Sequence, residues 1–169
     1  MGNTAEFELI KMLLDKKATV ATAESCTGGM VAARLTSVSG ASGAFKYGAV
    51  TYCNEAKHVL LGVSTETLDE HGAISAETAR EMSEGIRKVM NADIGISVTG
   101  NAGPGAAENK PVGLVFIGVS SDNYSAVLEN HFEGDRCSIR EQAADKALSL
   151  ALSAAENFKE TEYDKICSF

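Results

Sequence analysis

Hydrophobic and polar residues alternate along this chain in two distinct rhythms. Phe7, Ile10, Leu13 and Leu14 recur at helical spacing between Ala5 and Leu14, and Lys16 and Lys17 suit the C-terminal end of that helix. Thr19 to Ala23 is short and rich in β-formers, and it runs through Ser25-Cys26-Thr27-Gly28-Gly29 into a stretch carrying Met30, Val31 and Leu35. Strand, tight turn and helix are predicted there. Phe45 to Cys53 alternates as a strand around Tyr47, Ala49 and Thr51, and Asn54 is a natural cap for a short helix that Gly62 ends. Thr65 to Glu70 reads as a short helix or turn. Ser75 caps a longer helix in which Met82, Ile86, Val89 and Met90 recur. Ile94, Ile96 and Val98 form a strand, whereas Gly100 to Pro111 holds both prolines and no periodicity, so it is a loop. Val112–Val119 and Ala126–Phe132 form an antiparallel hairpin across Ser120-Ser121-Asp122-Asn123. Asp135 or Ser138 opens the last helix, with a small-residue stripe of Ile139, Ala143, Ala147, Leu150, Ala151 and Ala154. The final Thr161 to Phe169 carries no clear signal.

This order predicts an α/β fold: a single domain spanning 1–169, with a mixed sheet covered by helices on both faces in three α/β/α layers. A chain of 169 residues, 44% hydrophobic and 22% charged, encloses one core without staples. No apolar run approaches the roughly 20 residues of a membrane span, and the first residues lack a signal-peptide core, so a cytoplasmic location and no membrane partner are expected. The net charge of −8, without any basic cluster, argues against nucleic acid while leaving room for one small phosphate. Cys26, Cys53, Cys137 and Cys167 are scattered, with no CxxC pair and no histidine at ligand spacing, so neither metal nor disulfide framework is signalled.

Chemistry is concentrated at the end of the first strand. Ser25 precedes two glycines and a helix start, where backbone N–H groups without intrahelical partners can hold an oxyanion. GxSxG itself is absent, and a helix cap made by Ser25 or Thr27 explains the same residues. A serine needs a base. His58, His71 and His131 all sit in polar or exposed contexts, whereas Lys57 follows a second strand-to-helix transition at a position similar to Ser25. A base lysine must shed its proton near neutral pH, which needs desolvation or a nearby cation; a solvated surface lysine is the plainer alternative. The glycines of the 100–111 loop allow close approach to an anion, and Lys110 adds charge, although neither a Walker nor a Rossmann pattern is present. Arg136 and Arg140, at i and i+4, either clasp a phosphate or pair with carboxylates.

In order and with similar gaps, several segments resemble one family. They are Ala23-Glu24-Ser25-Cys26-Thr27-Gly28-Gly29, Val50-Thr51-Tyr52-Cys53-Asn54-Glu55-Ala56-Lys57, His71-Gly72-Ala73-Ile74-Ser75, Thr99-Gly100-Asn101-Ala102-Gly103-Pro104-Gly105, Lys110-Pro111-Val112-Gly113 and Phe132-Glu133-Gly134-Asp135-Arg136. The family is the CinA C-terminal domain, also found alone as nicotinamide-nucleotide amidohydrolase, and the likeness covers roughly residues 19–151. The resemblance implies metal- and cofactor-free hydrolysis of nicotinamide mononucleotide to nicotinic acid mononucleotide and ammonia, in pyridine nucleotide salvage. It also implies a serine nucleophile and lysine base, falling on Ser25 and Lys57 with Tyr52 close by. Cys26 and Thr27 would hold the oxyanion through their backbone amides; Gly28 and Thr99 join the binding set, and Gly100, Gly103, Gly105 and Arg140 are the candidates for the ribose phosphate.

Three departures from the family pattern stand out. Asn101 replaces a commonly apolar residue, the Gly105–Lys110 stretch is shorter and poorer in glycine, and Cys53 replaces a frequent serine. The N-terminal molybdopterin-binding-like domain of full-length CinA proteins is not in this sequence, so its pyrophosphatase activity is expected to be missing too. Two rival readings remain: a hydrolase in which Cys26 attacks, and a catalytically silent nucleotide-binding or regulatory domain. The Ala-rich last helix offers a flat face for self-association, so a homo-oligomer is expected.

Overall fold

The computed structural model describes residues 4–158, and the segment 161–169 lies outside them. The elements run α1 (Ala5–Asp15), β1 (Val20–Glu24), α2 (Met30–Thr36), β2 (Phe45–Val50), α3 (Asn54–Leu61), α4 (Thr65–His71), α5 (Ala76–Met90), β3 (Ile94–Gly100), β4 (Leu114–Ser121), β5 (Tyr124–His131) and α6 (Arg136–Asn157). The five strands form one mixed sheet in the order β2-β1-β3-β4-β5. Here β1 pairs in parallel with β2 and β3, while β3, β4 and β5 pair antiparallel.

Alternation along the strands sorts the core into two layers. Val20, Ile94, Ile96, Val98, Val115, Ile117 and Val119 face α1, α2 and α6, burying Leu9, Leu13, Leu35, Ile139 and Leu148. Ala21, Ala23, Leu114 and Phe116 face the other way, toward Leu61, Met82, Ile86 and Ala79 of α3 and α5. The small residues on this second face let α5 lie close: a Cβ on Gly95 would sit 2.0 Å from the Ser83 carbonyl oxygen. The three-layer α/β/α arrangement is therefore present.

Several details differ from the sequence expectation. Phe7, Leu14 and Val89 fit the helical period yet are exposed, because they sit at the margins of the apolar stripes, while Leu9 is buried instead. β2 ends at Val50, and the segment 51–53 leaves the sheet; Asn54 is the first helical residue of α3, not its cap. Most of β2 is exposed because it is an edge strand. Ser75 and Asp135 do cap α5 and α6, accepting from the Thr78 and Ser138 N–H groups. The small-residue stripe of α6 is buried against α1 and the sheet within the same chain, so it is not an exposed face for self-association. No helix among the described residues is long and apolar enough to cross a membrane.

Candidate active site

The parallel strands β1 and β2 end level with one another, Glu24 pairing with Val50, while β3 pairs with Glu24 through Val98 and runs on to Gly100. Beyond that edge the Ser25 N–H donates to the Val98 carbonyl and the Thr51 N–H to the Glu24 carbonyl, each at 2.8 Å. Ser25 is thereby held at the carboxyl edge of the sheet, where open α/β sheets collect ligands. The turn that follows is built by Glu24. Its carboxylate is 1% exposed and accepts from the Gly29, Val31 and Ala32 N–H groups at 3.0, 3.0 and 2.8 Å, satisfying the start of α2. The Ser25 carbonyl accepts from the Gly28 N–H. Among the described residues, the Cys26 and Thr27 N–H groups donate to no backbone carbonyl, and both lie toward the Cys26 sulfur.

Lys57 lies in the first turn and a half of α3 and reaches back under the turn. It is 1% exposed, with Nζ 3.1 Å from Ser25 Oγ and donating at 2.7 Å to the Thr51 carbonyl. No carboxylate among the described residues lies within ion-pair distance of it. Burial holds its ammonium below the ordinary lysine value, and the weaker pulls of Cys53, Glu108 and Cys26 act in the opposite direction. A neutral amine placed this way uses one N–H on Thr51 and turns its lone pair to the Ser25 hydroxyl. Cys26 is different. Burial chiefly, with some help from Glu24, pushes its thiol up to about 11, so it stays protonated at neutral pH.

Ser25, Cys26 and Lys57 border a cavity of about 330 Å³, within the range of small-molecule sites. Tyr52, Thr99, Gly100, Gly103 and Gly105 also line it, together with Asn54, Asn101, Glu108 and Arg136. Thr27, Gly28 and Arg140 are not in its lining. Thr27 is fully buried behind the turn, and Arg140 donates from Nε to the Cys26 carbonyl and from Nη2 to the Thr27 carbonyl, at 3.1 and 2.7 Å. Arg140 thus braces the turn after Ser25 and does not face the cavity, contrary to the phosphate role expected for it. Tyr52 stands at the mouth, with its hydroxyl accepting from Arg136 at 2.7 Å and making no bond to Ser25 or Lys57.

The 101–113 loop is shaped by the residue that departs from the family pattern. Asn101 is buried; its amide donates to the Gly105 and Lys110 carbonyls and accepts from the Gly103 N–H. Glu108 ties the loop to the segment before α5 by accepting from the Ala73 and Ile74 N–H groups, both at 3.1 Å. Lys110, expected to add charge for an anion, is spent on the His71 and Ile74 carbonyls. Thr99 donates to the Ala73 carbonyl at 2.6 Å and holds that segment against β3. Sequence reasoning missed Glu24, Glu108 and Asn54. Only Glu24 left a trace, as a carboxylate just ahead of a helix start. No histidine lines the cavity, and no cluster of three or more His, Cys, Asp or Glu among the described residues is placed to hold a metal.

Residues 3–155 match the family model described as CinA C-terminal domain. A competence-damage inducible protein of Caldicellulosiruptor saccharolyticus is 49% identical over 93% of the chain, and one of Clostridium perfringens is 54% identical over 81%. The chain spans 38% and 34% of those two proteins, so it corresponds to about a third of their length. Among solved structures, a CinA superfamily protein of Klebsiella pneumoniae superposes with a TM-score of 0.87 at 32% identity, covering 91% of this chain and 97% of that one. The competence/damage inducible protein of Agrobacterium tumefaciens gives 0.82 at 37% identity, covering 92% and 99%.

Proposed function

The chain belongs to the CinA C-terminal domain family, and from that membership and the geometry of the cavity we propose that it is a metal-independent amidohydrolase acting on the carboxamide of a pyridine nucleotide. Nicotinamide mononucleotide is the substrate this reading favours, with nicotinic acid mononucleotide and ammonia as products. The observation that carries it is the buried Lys57 amine 3.1 Å from the Ser25 hydroxyl, without a carboxylate partner. That distance falls within the reach expected of a nucleophile and its base.

The chemistry proceeds from these groups. Ser25 Oγ attacks the carboxamide carbon while its proton passes to the Lys57 lone pair. The carbonyl oxygen becomes an oxyanion beside the turn, where Cys26 borders the cavity and its backbone N–H is the donor nearest to hand. Lys57 then returns the proton to the leaving nitrogen, the C–N bond breaks, and ammonia departs from an acyl ester on Ser25. Water, deprotonated by Lys57, attacks the ester, and the carboxylate leaves as Ser25 Oγ regains a proton. Each turnover consumes one water and returns the enzyme unchanged. The protonated state of Cys26 favours serine over thiol attack. Glu24 and Arg140 hold the turn from either side, the first through N–H groups of α2 and the second through the two carbonyls.

The test is ammonia release from nicotinamide mononucleotide by purified protein treated with chelator, beside Ser25→Ala and Lys57→Ala. The expected result is release by the parent and loss of it in both variants. A folded parent that releases no ammonia overturns the reading in favour of a nucleotide-binding domain without turnover.

A further inference from the structure

The surroundings that make Lys57 a base also leave it a nucleophile in its own right. Its side chain is 1% exposed and reaches the cavity beside Ser25, with Nζ 2.7 Å from the Thr51 carbonyl oxygen and 3.1 Å from Ser25 Oγ. Among the described residues no carboxylate lies within ion-pair distance of it, so no counter-ion holds the extra proton in place. Both its neighbours are uncharged. A desolvated amine of this kind keeps a free lone pair and adds to electrophilic carbon.

The cavity narrows the choice of electrophile. The chain carries a net charge of −8 and Glu108 lines the same cavity, so anionic reagents such as bicarbonate or acyl phosphates are repelled. An amine with so little open surface takes a small, uncharged, linear molecule more readily than a bulky carbonyl compound. Carbon dioxide meets both requirements. Its adduct needs donors for two oxygens. The Ser25 hydroxyl is close enough to Nζ to turn to one of them. Asn54, three residues before Lys57 on α3, also lines the cavity, and its side-chain amide bonds to no other described residue. Glu108 and Arg136, the other charged side chains in the lining, carry opposite charges, and each Glu108 oxygen already accepts a backbone N–H.

We propose that Lys57 is a site of reversible carbamylation, at which carbon dioxide switches the Ser25–Lys57 pair off. The Nζ lone pair adds to the carbon of carbon dioxide, one C–O π bond opens onto oxygen, and the nitrogen gives one proton to water, leaving a carbamate anion on Nζ. The reverse steps return the amine and carbon dioxide. In the carbamate the nitrogen lone pair is delocalised and no longer takes the Ser25 proton, and the added group fills space beside Ser25 that an acyl carbon needs. The modification itself requires no substrate; its effect on turnover rests on the amidohydrolase reading.

The test reads modification and turnover separately. Purified protein is equilibrated with isotopically labelled carbon dioxide at fixed pH and ionic strength, any carbamate is alkylated in place with an oxonium salt, and the labelled peptide is located by mass spectrometry. A dissolved dipeptide amine serves as the positive standard. Label is expected on the peptide carrying Lys57, is expected to be lost when carbon dioxide is removed before alkylation, and should be missing from Lys57→Arg. Asn54→Ala is expected to weaken labelling by about 3- to 10-fold, the worth of one hydrogen bond. Ammonia release from nicotinamide mononucleotide should fall as carbon dioxide is raised and recover on degassing. An unlabelled Lys57 under conditions that label the dipeptide overturns the proposal, and label on Lys57 with unchanged ammonia release overturns the switch. Unchanged labelling of Asn54→Ala overturns the place given to that amide. Label on Lys57 in a parent that releases no ammonia at any carbon dioxide level leaves the modification standing and removes the amidohydrolase reading; ammonia release from a parent that takes no label does the reverse.

Discussion

The Glu24 carboxylate holds the start of α2 in a way that makes its removal measurable. In Glu24→Gln the side chain keeps its shape, so no cavity opens, but one oxygen becomes an NH₂ group. If the remaining oxygen stays where Oε2 now receives the Gly29 and Val31 N–H groups, the NH₂ faces the Ala32 N–H at 2.8 Å, donor against donor. Two charge-assisted bonds become neutral, each weaker by about 1 kcal/mol, and a stranded buried donor costs about 1–3 kcal/mol more. The amide is cheaper to bury than the carboxylate, which offsets part of this. The net expectation is a loss of about 2–4 kcal/mol, or roughly 5–15 °C in melting temperature for a domain of this size. Circular dichroism melts and urea midpoints of parent and variant at pH 7 measure it. Because the same bonds hold the turn carrying Ser25, ammonia release should fall by about tenfold or more at temperatures where the variant is still folded. A melting temperature within about 1 °C of the parent, or full activity, would refute the idea that this carboxylate builds the nucleophile turn.

Other perturbations test neighbouring parts of the site. Burial lowers the Lys57 value in the folded chain, so between that value and the unfolded lysine value near 10.4 the unfolded state binds the extra proton, and stability rises with pH. Urea midpoints taken in steps through that alkaline window should climb for the parent and stay flatter for Lys57→Met; parallel curves would contradict a desolvated lysine. The kcat/KM profile should likewise rise with pH on a limb set below the ordinary lysine value, and Lys57→Arg should remove it. Cys26→Ala is expected to keep activity within about threefold, since a thiol pushed to about 11 stays protonated at neutral pH; loss beyond about a hundredfold would restore the thiol reading. Asn101→Ala deletes three bonds inside the 101–113 loop, costing about 1–3 kcal/mol, and should raise KM more than it lowers kcat. Gly85→Ala would place a Cβ 2.0 Å from the Leu61 carbonyl oxygen at the end of α3, so despite its better helix propensity it should destabilise by about 1–3 kcal/mol in denaturation and slow turnover through displaced Lys57.

Much of this protein was legible in one dimension. The two periodicities place the strands and the longer helices within a few residues, because each of these elements repeats the same buried face along its length. Ser25-Cys26-Thr27-Gly28-Gly29 after a β-rich run marks the strand-to-helix turn that borders the cavity, since such a turn needs small residues and a helix start wherever it occurs. The aperiodic 100–111 stretch marks a loop for the same local reason. What periodicity does not encode is which long polar side chain reaches which backbone. Lys57 looks like any surface lysine until α3 packs over the ends of β1 and β2 and leaves it 1% exposed. Arg136 and Arg140 stand one helical turn apart on α6, equivalent by spacing. Only the docking of that helix sends the first to the Tyr52 and Gly103 mouth and the second to the Cys26 and Thr27 carbonyls. Asn101 reads as a departure from pattern and turns out to fasten its own loop through Gly105 and Lys110. Their partners are mostly carbonyl oxygens and N–H groups, which nearly every residue carries alike. The sequence therefore determines the elements and the turn that carries Ser25, while the burial and orientation of the side chains around the cavity are decided by tertiary packing, which alone chooses among chemically identical backbone partners.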